Sequence, residues 1–445
     1  MTRYDLQEEA VELLQQLVRV DTSNPPGRET TAAEVLRDYL ESTGVPCELV
    51  ARDPERANLV ARLPGDGSGP SLAMLGHLDA VPADGANWTR APFSGHVDAD
   101  GFLWGRGAAD MKNELATRAV VLAALTREGF RSGGDLLLVA TADEEDGTAD
   151  VGASWLVRER PDLRVDYVLN EGAAERLDLT DGRRVVTIAV GEKAAANVRV
   201  TALGQPSATT MPSTGEGAVV RLARLVQRLD GYRAPTRLLP ESRRLLEALC
   251  GPLPEPLEAA QLDSALARAA TLHPAVADLV LPLFATTIVP TRLHGSDALN
   301  VVPARASVDC DCRLLPGATE ADLRAELAAA LGEGIPYELD LLTEVMGGTM
   351  SPADSLLVDL VAGILADVDP DAVLLPTVLN GFTDSHYFRA AFGSQAYGFW
   401  PVRRTPYEVI ARGVHGIDER IHVDDLGYAV DFQLRLCREL LSSTR

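Results

Sequence analysis

An α/β fold is predicted by three observations on this sequence. Over the first 190 residues, short apolar runs alternate with stretches of helical periodicity. Several of the apolar runs stop at an acidic residue or a histidine. At GEKAAANVRVTALG, from residue 191, the texture changes to that of a smaller α+β unit. With 445 residues, 46% of them hydrophobic, the chain can bury a large core and exceeds one ordinary domain. The layout expected is one α/β domain from residues 1–190 and 346–445, interrupted by an α+β domain over 191–345.

The elements follow in order. The opening MTRYDLQEEAVELLQQLVRV carries apolar residues at helical spacing between charges, with no basic segment ahead of a continuous apolar run, so it predicts a surface helix over 5–19 and not a signal peptide. Helices are also expected at 30–43, 112–129 and 152–159, and strands at 58–62, 71–76, 134–141, 166–170 and 184–190. In the second unit an alternating strand is followed by a helix over 214–229, the strand ARASVDCDCRL at 304–314, a helix over 319–332 and a strand over 337–342. Residues 233–283, rich in Leu, Ala and Pro at helical spacing, are too long for a connecting loop and are expected to form a helical insertion in that unit. After MetGlyGlyThrMetSerPro at 346–352 the first pattern resumes, ending in an amphipathic helix over 423–440.

Composition excludes some functions. A net charge of −24, from 41 basic and 65 acidic residues, argues against nucleic-acid or anionic-membrane binding. No uninterrupted apolar stretch reaches the roughly 18 residues of a membrane span. The five cysteines are odd in number and lack CxxC spacing; Cys310 and Cys312 alternate with Asp309 and Asp311 and read as small buried hydrophobes. A reducing, cytoplasmic location is expected.

Five short segments carry chemistry. In SLAMLGHLDAV, His77 and Asp79 stand two apart in an extended segment, so both leave on one face, as a ligand with its orienting partner or as a histidine near a strand end. In GFLWGRGAADMKNELA, Asp110 precedes a helix and by itself reads as an N-cap. GDLLLVATADEEDG ends in Asp143, Glu144, Glu145 and Asp146, a repulsive cluster that either a cation or a solvated turn relieves. VDYVLNEGA ends in Glu171, and RGVHGIDERI places His415 among glycines. Four of the five fall where strands end, the place where open α/β sheets build their sites. Adjacent Glu144 and Glu145 project in different directions, so one can bind a metal while the other addresses a water. His96, His273, His386 and His422 lie outside these segments and read as surface or packed residues.

With these segments the sequence resembles the dinuclear-zinc peptidases and deacylases of metallopeptidase family twenty, which include aminoacylase, acetylornithine deacetylase, succinyl-diaminopimelate desuccinylase and carboxypeptidase S. The resemblance runs through LVRVDTSNPPGRE, GHLDAVPAD, WTRAPFSG, GFLWGRGAADMK, TADEEDG, NEGA, LNVVPARASVDCDCRLLPG, GFTDSHYF, YGFWP and HGIDERI. It implies a phosphorylase/hydrolase-like catalytic domain with an inserted lid that in many relatives makes a dimer contact. It implies two divalent metal ions, zinc with cobalt or manganese as alternatives: one on His77, Asp110 and Glu171, the other on Asp110, Glu145 and His415. Asp79 would orient His77, and Glu144 would be the general base. Asn300 and Arg313 would hold the substrate's carboxylate, with Thr383 and Asp384 lining the same region. The implied substrate is a small acyl-amino acid or peptide, and a homodimer through the lid is expected.

Two departures stand out. Phe382 occupies what is usually a small position in GFTDSHYF, which implies a tighter or more apolar pocket. Relatives carry a lid histidine that reaches the reacting carbonyl; aligning Gly204 and Pro212 puts Ala208 there, and His294 is the nearest lid candidate to replace it, or a satisfied loop histidine. Two readings follow: an amidohydrolase, or a metal-binding relative with altered or lost hydrolysis that serves as a ligand-binding protein. Glu144 discriminates between them, since a pure binder has no need of a proton shuttle.

Overall fold

The two central strands of the larger sheet, Leu72–His77 and Leu136–Thr141, are buried along their whole length, which is why they read as continuous apolar runs without alternation. The computed structural model describes residues 3–442 apart from 211–215, 274–275 and 277–279. In it the larger sheet has nine strands. Leu136–Thr141, Leu72–His77, Tyr167–Asn170 and Gln395–Gly398 lie side by side and parallel at its centre. Asn58–Leu63 and Cys47–Val50 extend one side antiparallel. Arg184–Glu192, with Ala372–Leu379 and Ala173–Asp178 on it, extends the other.

Side chains alternate between two cores, as the period of a strand requires. Leu72 and Met74 pack with the helices Arg3–Arg19, Lys112–Arg127 and Val423–Leu441. Ala73 and Leu75 pack on the opposite face with Leu156 and Phe388 of the helices Ala153–Glu159 and Ser385–Phe392. The sheet is thus covered on both sides.

The chain passes to a second sheet between Glu192, the end of one strand, and Ala194, the start of Ala194–Leu203. It comes back where Met346–Gly347 pairs with Ala194 and Ala195 and Met350 bridges to Gly191. This five-stranded sheet is antiparallel, in the order Thr287–His294, Arg305–Leu314, Ala194–Leu203, Tyr337–Leu341, with Met346–Gly347 on Ala194–Leu203. Helices Ala218–Gly231 and Glu320–Leu331 cover one face, burying Val198, Val200, Val308, Cys310 and Cys312. The opposite face carries Arg199 and Asp309. The helix read over 214–229 begins at Ala218; positions 214–215 and Pro212 lie outside the described residues.

The helical insertion packs differently from expectation. Helices Pro240–Cys250 and Ala259–Leu272 lean on the larger sheet, where Leu245, Leu249 and Leu262 meet Leu177, Val185, Leu375 and Val378. The smaller sheet already has two helices on its apolar face. The outer strands of the larger sheet need a cover, and the leucine face of the insertion supplies it. Among the described residues, no helix is long and apolar enough to cross a membrane.

Candidate metal centre

Register brings the chemistry together. His77 and Thr141 are partners at the carboxyl ends of two parallel neighbours, Asn170 ends the strand on the other side, and Glu144, Glu145 and Glu171 lie just beyond those ends. Carboxyl ends of adjacent parallel strands form the crevice in which open α/β sheets bind ligands.

Asp110 divides its two oxygens between two imidazoles. His77 Nε2 lies 3.2 Å from Asp110 Oδ1 and 3.5 Å from Glu171 Oε2. His415 Nε2 lies 3.3 Å from Asp110 Oδ2 and 2.9 Å from Glu145 Oε2. Glu144 joins the first group: one ligand atom each from His77, Glu144 and Glu171 lie within 4.8 Å of one another. His415 takes a positive φ of 54°, a conformation that non-glycine residues adopt at a cost and that clusters at functional sites.

Asp79 is fully buried. His77 Nδ1 is 3.1 Å from the Asp79 carbonyl oxygen and 3.5 Å from its Oδ1. The same carboxylate accepts the backbone N–H groups of Glu144 (3.2 Å) and Glu145 (3.1 Å) and the Asn24 amide (2.9 Å). It therefore fixes the turn that carries both glutamates. Asn24 also donates to Asp143, tying the segment DTSNPP to the site.

Two further supports were not assigned from sequence. The buried carboxylate of Glu419 accepts the N–H groups of Gly107, Ala109 and Asp110 at 3.0, 2.7 and 3.0 Å, and pairs with Arg106 at 2.7 Å. It thereby joins the loop of Asp110 to the loop of His415. Arg118, wholly buried, donates to the carbonyls of Leu75 and Asn170 and to Glu114, holding together the strands that present His77 and Glu171. The only sequence signal for Glu419 is its place in the HGIDERI block, and for Arg118 there is none.

The electrostatics call for cations. Asp79, Asp110, Glu144, Glu145 and Glu171 surround two imidazoles. Burial, reinforced by the charge of Glu171, raises the Glu144 carboxyl well above its usual value, and burial also raises Glu171. Burial alone would lower His77, but Glu171 and Asp110 hold it well above the usual imidazole range. Hydrogen bonds to Asp110 and Glu145 push His415 up to about 10. Glu145 Oε1 is buried without a hydrogen-bond partner. An orphan carboxylate oxygen amid mutually repelling acids and two imidazoles is a donor set that fits divalent cations.

The other expected site residues are placed as follows. Asp384 is buried below the cluster, accepting from Thr141 Oγ1 at 2.6 Å, and burial pushes it up to about 7; Thr383 beside it accepts from the N–H of Ser385. Phe382, Glu144, Asp384 and Tyr387 line a cavity of about 20 Å³. Asn300, Arg313 and His294 all belong to the smaller sheet and its turns. Asn300 is exposed next to Val301, which pairs with Ala208. Arg313 has its Nε and Nη2 on Asp311, at 2.7 and 3.0 Å. His294 turns its Nε2 to Asp309 at 2.8 Å, beside Arg199 at 3.2 Å, and among the described residues these partners lie on the smaller sheet.

Comparison with known proteins agrees with this geometry. A profile described as peptidase family M20/M25/M40 matches residues 73–439. Aminoacylase-1 of Mus musculus is 27% identical over 452 residues, spanning 99% of this chain and 98% of that protein. Succinyl-diaminopimelate desuccinylase of Methylorubrum populi is 28% identical over 437 residues, spanning 96% and 97%. The crystal structure of an M20 family metallo-carboxypeptidase from Sulfolobus solfataricus superposes with a TM-score of 0.71 at 19% identity, covering 97% of this chain and 98% of that one.

Proposed function

The chain belongs to peptidase family M20/M25/M40 and is a metal-dependent hydrolase of amide bonds, and we propose that its substrates are N-acyl amino acids or short peptides, cleaved as by a deacylase, carboxypeptidase or dipeptidase. The observation that carries the reading is the division of Asp110 between His77 and His415, with Glu144 beside the first imidazole.

We assign His77, Asp110 and Glu171 to one cation and Asp110, Glu145 and His415 to the other. Imidazole and carboxylate donors suit zinc, with cobalt or manganese as chemically close alternatives. When bound, such a pair supplies Lewis-acid polarisation of the substrate carbonyl and of the attacking water. Glu144 takes the proton of that water on a carboxylate oxygen and passes it to the nitrogen of the leaving amine. Asp79 keeps Glu144 in place through its backbone N–H. A ligand-binding relative without hydrolysis has no use for a carboxylate so placed.

Residues 191–345 are assigned as a lid over a catalytic domain formed by 1–190 and 346–445. Asn300 and Arg313 are assigned to the substrate carboxylate, which would compete with Asp311 for the arginine fork. The edge strand Thr287–His294, with Val289 and Leu293 exposed, supports pairing with a second copy through the lid. Five free thiols, two of them two residues apart on one strand, support a reducing, cytoplasmic location. The test is amine release from a panel of N-acetyl, N-succinyl and longer N-acyl amino acids and dipeptides with zinc or cobalt added. Turnover of at least one class is expected, and turnover of none would contradict the assignment.

A further inference from the structure

A cavity of about 400 Å³ opens beside Asp110 and Glu171. Its walls are made chiefly by Leu379, Trp400, Val402, Ile410, Val414 and Ile421. The indole N–H of Trp400 donates to Thr117 Oγ1 at 3.1 Å, and Thr117 is fully buried, so the ring offers the cavity carbon and no donor. The charges at its edge are engaged within the protein: Glu114 with Arg118 at 2.5 Å, and Arg176 with the carbonyl of Arg403 at 3.0 Å and with Asp178 at 3.4 Å. Among the described lining residues, Arg176 Nε and Asn113 Oδ1 are buried without a hydrogen-bond partner.

Leu379 fixes the cavity to the reaction centre. Gly172, next after Glu171, has φ +88°, and a Cβ built there would fall 2.5 Å from Leu379 Cδ1. Leu379 therefore rests on the backbone of the residue following a proposed ligand. On its far side lies a second cavity of about 170 Å³, walled by Leu177, Leu245, Leu249, Val280 and Val378. Part of that wall comes from helix Pro240–Cys250 of the insertion.

An acetyl methyl group would cover little of such a lining, whereas each methylene removed from water contributes about fourfold to binding. We propose that the larger cavity receives the acyl chain of the substrate and selects a medium-length aliphatic chain, octanoyl in preference to acetyl or succinyl, with Leu379 as the partition that sets the length. This inference rests on the amidohydrolase reading above.

The experiment compares kcat/KM of the metal-loaded full chain for N-octanoyl, N-acetyl and N-succinyl derivatives of one amino acid, together with calorimetric titration by octanoate and succinate. The octanoyl substrate is expected to exceed the acetyl one by about a hundredfold or more, and octanoate to bind where succinate does not. Ile410→Trp, which fills the cavity, should reduce the octanoyl-to-acetyl ratio at least about tenfold. Leu379→Ala, which removes the partition, should shift the preferred chain toward dodecanoyl. Equal or better use of the acetyl substrate overturns the inference. Preference for succinyl overturns it in favour of a carboxylate held by Arg176. If no acyl amino acid turns over, the hydrolase reading fails, and the octanoate titration still decides the cavity: binding upholds it and no binding removes it.

Discussion

The carboxylate of Glu419 accepts the backbone N–H of Asp110 at 3.0 Å. Because Glu419 also binds the N–H groups of Gly107 and Ala109 and the guanidinium of Arg106, it sets the position of the residue that both imidazoles share.

Glu419→Ala leaves the N–H groups of Gly107, Ala109 and Asp110 without their acceptor, each costing about 1–3 kcal/mol, and leaves Arg106 with only the carbonyls of Gly413 and Gly416. The variant is expected to melt well below the parent and to bind zinc about 10–100-fold more weakly, the usual effect of removing a ligand's support. Glu419→Gln, which keeps one oxygen, should fall between the two. Thermal melts and zinc titration check this, and a parental melting temperature for the alanine variant would contradict it.

On the smaller sheet, Asp309 is held by Arg199, His294 and Arg292. The hydrogen bonds from Arg199 come first in holding its carboxyl below the usual carboxylate range. A depressed pKa means stability that is present above the unfolded value of about 3.9 and is lost as pH falls through the lower folded value. Asp309→Asn should therefore lower the melting temperature at pH 7, with the gap from the parent narrowing as pH drops below about 4. A gap constant with pH would remove the ionic account.

Glu144→Gln deletes a proton acceptor and keeps the shape of the side chain. It should retain both cations while turnover falls about 10²–10⁴-fold. Metal content measured beside kcat separates the two effects. Parental turnover would show that Glu144 is not the base.

Ala208 stands where the resemblance places an oxyanion donor, and the absence of such a donor costs about 10²–10³ in kcat. His294 is bound to Asp309 by its Nε2, so it is poorly placed to substitute. Ala208→His is expected to raise kcat on simple acetyl-amino acids, and an unchanged or lower kcat would count against the alignment at that position.

The candidate ligands were legible in the sequence because strand-end chemistry is local. A buried run stops, and His77, Glu144, Glu145 or Glu171 stands at or just past the stop. The two central strands were legible as unbroken apolar runs and several helices through a period of 3.6, whereas Thr287–His294, Ala372–Leu379 and Gln395–Gly398 were not placed. Glu419, Arg118 and Asn24 were not assigned because they act on backbone groups or carboxylates brought near only by the fold. The insertion read correctly as helix, but its leucines could not say which sheet lacked a cover. His294 looked close to Asn300 in sequence, and strand register instead set its ring against Asp309, two positions along the paired strand from its partner Ser307.

The central claim is that Asp110 bridges two cations. Metal analysis of the purified chain and its variants tests it most directly: the parent should carry up to two divalent ions, Asp110→Ala should lose both, and Glu171→Ala or His415→Ala should weaken mainly one. An Asp110→Ala protein that still holds the parental metal content, with its fold intact by circular dichroism, would contradict the account.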